Sequence, residues 1–253
     1  MPRLIDKFLV VSLFFILVAT GLNAQVINIE GKRFLKDTNG FVGRGDFNFN
    51  VTQNTQQIIN FGINFHTQYR HNRHKILAIS DLATIKAGNQ DYVNSGFQHL
   101  RYAYKFFVRV SMESFVQAQF NRVLLLDYRY LAGIGPRIRI IKRSQYKLYT
   151  GVMYMFEHQS QAFETIIQTN HRMSSYLTFN IGLSKFDFSS TTFYQPVLND
   201  FGNYRIASDN NLDIGINNHF NLKIGLNLLY DTRQPPGIPP VVYVFRNGIS
   251  FRF

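Results

Sequence analysis

A chain of 253 residues with no cysteine and a formal charge of +12 excludes disulfide scaffolds, thiolate metal sites and a lipid anchor on cysteine. Its mean hydropathy of −0.11 would suit a soluble protein, yet it suits equally well a set of strands in which every second residue is polar. Nucleic acid, the usual partner of so basic a chain, is excluded because the lysines and arginines are spread through strands and short turns behind a secretory leader; anionic lipopolysaccharide at a rim, or a lumen that favours anions, fits that charge.

Residues 1–24 read as a signal peptide. Arg3 and Lys7 precede an apolar run from Phe8 to Ala19, interrupted by Ser12, with a cut expected after Ala24. The run is shorter than the ~20 residues a spanning helix needs. Removing the leader takes away Arg3, Lys7 and Asp6 and leaves the mature chain at +11. Residues 25–40 contain Gly31, Asp37 and Gly40, lack alternation, and are expected to form a short periplasmic segment ahead of an outer-membrane β-barrel domain over 41–253.

From there the pattern has period two. The first strand sets Phe47, Phe49 and Val51 against Asp46, Asn48 and Asn50. The second sets Ile59, Phe61, Ile63 and Phe65 against Asn60, Gly62, Asn64 and His66. A third strand spans Ile76 to Lys86, and a polar loop is expected from Ala87 to Gly96. In the fourth strand Leu100, Tyr102, Tyr104 and Phe106 oppose Arg101, Ala103 and Lys105. In the fifth Val116, Ala118 and Phe120 oppose Glu113, Gln117, Gln119 and Asn121. The sixth places Tyr128, Tyr130, Ile134, Ile138 and Ile140 against Asp127, Arg129, Gly133, Gly135, Arg137 and Arg139. The seventh places Val152, Tyr154 and Phe156 against Gly151, Met153, Met155 and Glu157.

A long link is expected from His158 to His171. An eighth strand covers Tyr176 to Ser184, a ninth runs from Ser189 to Val197, where Pro196 marks its end, and a tenth and eleventh follow at Leu212 to Ile216 and Leu222 to Leu228. The proline-rich link from Asp231 to Pro240 leads into the last strand, Val241 to Phe253. The count implies an all-β transmembrane antiparallel up-and-down barrel of about 12 strands, with both termini at the periplasmic face and the longer links, after strands three, seven, nine and eleven, outside. A soluble β-sandwich explains neither the leader nor the final strand.

That final strand alternates Tyr243, Phe245, Ile249, Phe251 and Phe253 with Arg246, Gly248, Ser250 and Arg252. An aromatic lipid face ending in phenylalanine resembles the membrane assembly signal of bacterial outer-membrane barrels, which implies the barrel-assembly machinery as a partner. Six stretches extend the resemblance: SGFQHLRYAYKF from Ser95, SFVQAQFNR from Ser114, DYRYLAGIGPR from Asp127, YMFEHQ from Tyr154, STTFYQPVL from Ser190 and YDTRQPPGIP from Tyr230. Together they resemble the YdiY-like family of outer-membrane barrels, catalogued as domain of unknown function 481. The resemblance implies a porin-like β-barrel in the outer membrane of a Gram-negative bacterium and brings no established substrate or catalytic residue. The leader ending in Asn-Ala-Gln and the strands rich in Asn and Phe are similar to those of Bacteroidota members.

By parity a charge network faces the lumen: Arg101, Lys105, Glu113, Asp127, Arg129, Arg137, Arg139, Glu157, Arg205 and Asp213. A ring of some twelve strands is narrow enough for arginines to bridge to carboxylates across it, so the leading expectation is a structural or closed barrel with a salt-bridged basic lumen. The alternatives are a narrow anion-preferring passive channel, an accessory subunit of an envelope complex docking through Phe163, Ile166 and Ile167, and an outer-membrane lipid hydrolase. No nucleophile motif supports the last, and no enzyme activity is expected. His66, His71 and His74 lack a clustered carboxylate, so no metal or other cofactor is expected. Outward Tyr102, Tyr104, Tyr128, Tyr130, Tyr154, Phe156, Tyr194 and Tyr243 suit aromatic girdles in outer-membrane lipid.

Overall fold

The computed structural model describes residues 29, 39–53, 56–161, 167–217 and 219–251. The leader, most of the 25–40 segment, and Arg252 and Phe253 lie outside the described residues. Twelve strands follow one another: β1 (Gly40–Gln53), β2 (Gln57–His71), β3 (His74–Ala87), β4 (Gln90–Lys105), β5 (Val110–Asn121), β6 (Leu126–Lys142), β7 (Tyr146–Gln161), β8 (Ile167–Leu183), β9 (Phe186–Val197), β10 (Asp200–Gly215), β11 (Phe220–Asp231) and β12 (Val241–Phe251). Each pairs antiparallel with its neighbours in sequence, giving one twelve-stranded up-and-down sheet with β1 and β12 at the two ends of the ladder. A single 3-10 turn, Arg122–Leu124, joins β5 to β6, and Asn121 caps it by accepting from the Leu124 amide.

One face of this sheet is apolar and exposed; Leu100, Val116, Ile134, Val152, Leu177 and Phe245 all lie on it. The other face is buried beneath the middle strands. Along β7 the alternation runs from Gly151 through Met153, Met155, Glu157 and Gln159 to Gln161, all buried, with exposed Val152, Tyr154 and Phe156 between them. An exposed apolar face and an interior of arginine, glutamate and glutamine is the reverse of a water-soluble sandwich, and is the arrangement a sheet takes when lipid surrounds it.

The strands are longer than hydrophobic alternation predicts. Ala87 to Gly96 is not a loop: Gly88, with φ +57°, turns the chain within two residues and β4 is paired from Gln90 onward. Likewise the expected His158–His171 link shrinks to 162–166, because Ser160 still pairs with Ile167. Of that link's proposed contact residues, Phe163 and Ile166 lie outside the described residues, while Ile167 is exposed at the start of β8. The connection after β9 is also short, and of the links expected to be long only 232–240 stands out. Outside the apolar band the ladder still pairs while both faces become polar, so the period-two signal fades before the strand ends.

β1 is exposed along nearly its whole length on both faces, so the packed sector of the interior lies beneath β3 to β11. Ile29, from the segment ahead of β1, is buried against Leu77, Ile79 and Phe97 on the inner side.

Candidate functional site

The inner face is organised in layers along the strands. Toward the end where β5–β6, β7–β8 and β11–β12 connect, Glu157 is completely buried and serves as a hub. Arg172 Nε donates to its Oε2 at 2.6 Å, Arg129 Nε lies 3.3 Å from its Oε1, and Arg205 Nη1 donates to that same Oε1. Arg205 Nε also donates to Asp231. The remaining donors are satisfied nearby: Arg172 Nη1 reaches the Gln195 carbonyl at 2.9 Å, its Nη2 reaches Asn203 at 3.2 Å, and Arg129 donates to Gln159 at 2.8 Å. Since β7 and β10 are three inter-strand steps apart, about 14 Å along a flat sheet, the Arg205–Glu157 bond requires a strongly concave inner face.

Below this hub lies a mainly apolar layer. Phe115, Met153 and Met155 pack together with Leu131, and His99 stacks between Phe97 and Phe115 at 5.8 and 5.3 Å. Glycines make the close packing possible. A Cβ on Gly133 would sit 2.4 Å from the Phe115 ring, and one on Gly151 would sit 2.4 Å from Tyr176. A second ionic layer follows, in which Arg101 Nη1 donates to Glu113 Oε2 at 2.9 Å and Arg137 approaches the other oxygen at 4.0 Å. Arg101 lies over the Phe115 ring, and Arg137 lies over Tyr149 at 4.0 Å.

Six of the ten residues expected to form a lumen network thus fall into two bonded clusters. Arg129, Glu157 and Arg205 form the hub, and Arg101, Glu113 and Arg137 the second layer. Lys105 and Arg139 lie just beyond that layer, with Arg139 Nη2 donating to the Val108 carbonyl at 2.6 Å. Asp213 is distant from the hub and makes a loose, exposed pair with Lys223 at 3.9 Å. Asp127 does not join the network. The β6–β7 register shifts between Leu126 and Tyr128, and this bulge leaves Asp127 exposed while the buried neighbour is Leu126.

Two hub residues escaped the sequence reading, Arg172 and Asp231. Asp231 stands at the start of the expected proline-rich link and Arg172 between the expected His158–His171 link and the eighth strand, although Arg172 continues the parity of Ser174 and Tyr176, and Asp231 that of Asn227 and Leu229. On β12, Tyr243, Phe245, Ile249 and Phe251 share the exposed face, opposite buried Val242 and an Arg246 that donates to Asn227. Phe253 lies outside the described residues. His66, His71 and His74 do not converge with acids, and among the described residues no group of three or more metal-type side chains forms.

Of the known families, the model described as "Protein of unknown function, DUF481" matches residues 45–251. The chain belongs to the DUF481 family. This is the family that the six sequence stretches resemble, and its match spans nearly the whole strand ladder. No curated protein matches this DUF481 chain. Among solved structures it is similar to the NanC porin, at 14% identity over 84% of this chain and 99% of that one, with a TM-score of 0.45. It is also similar to the β domain of the Bordetella autotransporter BrkA, at 12% identity over 85% of this chain and 99% of that one, with a TM-score of 0.37.

Proposed function

We propose that this DUF481 protein is an outer-membrane β-barrel of structural type, closed over most of its cross-section by its own side chains. The observation that carries the reading is Glu157: a fully buried carboxylate bonded to arginines from β6, β8 and β10 braces four strands across the interior. The apolar layer beneath it, Phe115, Met153 and Met155 with Leu131, fills the inner side of β5 to β7. Anionic lipopolysaccharide at the rims suits the basic chain, and insertion by the barrel-assembly machinery of a Gram-negative envelope suits the aromatic outer face of β12. No catalytic activity is part of this reading.

One observation favours a second reading, a narrow anion-preferring channel. Along β1 and the lower half of β12 the residues are exposed on both faces, including Arg44, Asn48, Asn50 and Arg246, so a polar strip beside the packed sector is accessible. Conductance of the purified protein in planar bilayers separates the two. Silence at high potential is expected for the braced barrel, and a steady anion-preferring current would replace it with the channel.

A further inference from the structure

The two ends of the ladder differ in charge. At the end where β1 starts and β12 stops, the connections are all short, running 72–73, 106–109, 143–145, 184–185 and 216–219. They carry Arg73, Arg109, Arg143 and Lys185 and no acidic residue. The connections at the other end carry Arg122 and Arg233 against Glu164, with Asp91 and Asp127 exposed beside them and Arg233 facing Asp200 at 3.9 Å. Arg73, Arg109, Arg143 and Lys185 are exposed, and among the described residues none of these four is held in an ion pair.

Each of them also stands within three residues of an exposed apolar side chain at the border of the outer face. Arg73 is close to Ile76, Arg143 to Tyr146, Lys185 to Leu183, and Arg109 to Phe106, which meets Tyr104 edge-on at 4.8 Å. Three residues of extended chain cover about 10 Å, and the headgroup layer is about 5–7 Å deep on each side of the hydrocarbon. Long cationic side chains on such turns lie at the depth of lipid phosphates while their stems stay against the apolar band. Turns of two to four residues hold these charges at the membrane and do not carry them out to a soluble partner.

We propose that the short-turn end of the sheet is a binding surface for the headgroups of anionic phospholipids. A zwitterionic headgroup offsets its phosphate with its own amine, so a rim with four cations and no acid in its turns favours lipids of net negative charge. The inference rests on the barrel reading and assigns the anionic lipid contact to the end opposite the long 232–240 connection.

The test reconstitutes the full-length protein in phosphatidylcholine vesicles containing a trace of spin-labelled phosphatidylglycerol or, in parallel, spin-labelled phosphatidylcholine, and compares the motionally restricted fraction of each label. A preference for phosphatidylglycerol of about threefold to fivefold is expected at low salt, fading as salt rises. Arg73→Gln, Arg109→Gln, Arg143→Gln and Lys185→Gln combined should abolish the preference, while Arg122→Gln with Arg233→Gln should leave it unchanged. Far-UV circular dichroism of each variant verifies that the ladder is intact. Persistence of the preference in the fourfold variant, or an equal loss in the Arg122→Gln, Arg233→Gln variant, would overturn the surface. No preference for phosphatidylglycerol, together with salt-sensitive binding of polyglutamate to the same vesicles, would assign the turns to an acidic polypeptide instead. A restricted phosphatidylcholine component without that preference overturns only the headgroup surface, whereas absence of any restricted lipid overturns the barrel reading itself.

Discussion

Glu157 holds a charge in a place where an unpaired charge is very costly. Its two oxygens are shared among Arg129, Arg172 and Arg205, and the third of these is shared again with Asp231. Breaking one partner of such a buried group costs more than the pair contributes, because the remaining charges stay desolvated. Glu157→Gln is therefore expected to lower stability by about 3–5 kcal/mol, measured by urea unfolding in lipid vesicles; a change within about 0.5 kcal/mol, the size seen at ordinary surface sites, would show that the cluster does not brace the sheet. Gly135 gives a second residue-scale prediction. A Cβ there would meet the Val152 carbonyl oxygen at 2.1 Å and the Met153 Cα at 2.6 Å, both backbone atoms that cannot rotate away. Gly135→Ala should cost about 1–3 kcal/mol as overpacking. Gly248→Ala, with nothing within 4 Å, should be nearly silent in the same assay.

At the scale of the element, β5 shows how one strand serves two environments. Val116 is exposed at the middle of the strand on the outer face, while its neighbour Gln117 accepts from His99 Nδ1 through its Oε1 and donates through its Nε2 to Gln119 within the interior. Val116→Arg places a cation at the centre of the lipid-contacting band and should cost about 2–4 kcal/mol of folding in vesicles. A matching cost for an arginine on the polar tip Asp91 of β4 would contradict the orientation. Strand length follows the same logic. Alternation made the centres of β2, β4, β5, β7 and β8 legible, since each presents one lipid face and one interior face there. It failed at the polar ends, where His158 to Gln161 and Ile167 to His171 keep their hydrogen-bonded register without an apolar face. Arg172 was missed for that reason: its own strand was thought to begin after it.

For the whole molecule, eleven consecutive antiparallel pairings make a ladder in which every central strand is held on both sides. Opening it requires breaking long runs of backbone hydrogen bonds together, which favours slow unfolding over weak equilibrium fraying. An unboiled sample should accordingly migrate differently from a boiled one on a denaturing gel; identical migration would argue against a persistent barrel.

What the sequence determined by itself was the class and its orientation rules: period two with phenylalanine and tyrosine on one parity and arginine, glutamate and glycine on the other dictates strands between lipid and a polar interior, because side chains alternate across a strand whatever its neighbours are. The family followed from the same stretches. Which charges meet was decided only by the tertiary structure. Parity assigns Asp127 and Glu157 alike to the inner face, yet a bulge in β6 turns one out and the curvature of the sheet brings three arginines from different strands onto the other. Curvature and bulges are properties of how strands pack side by side, and contacts between residues 48 positions apart, such as Arg205 with Glu157, leave no periodic trace along the chain.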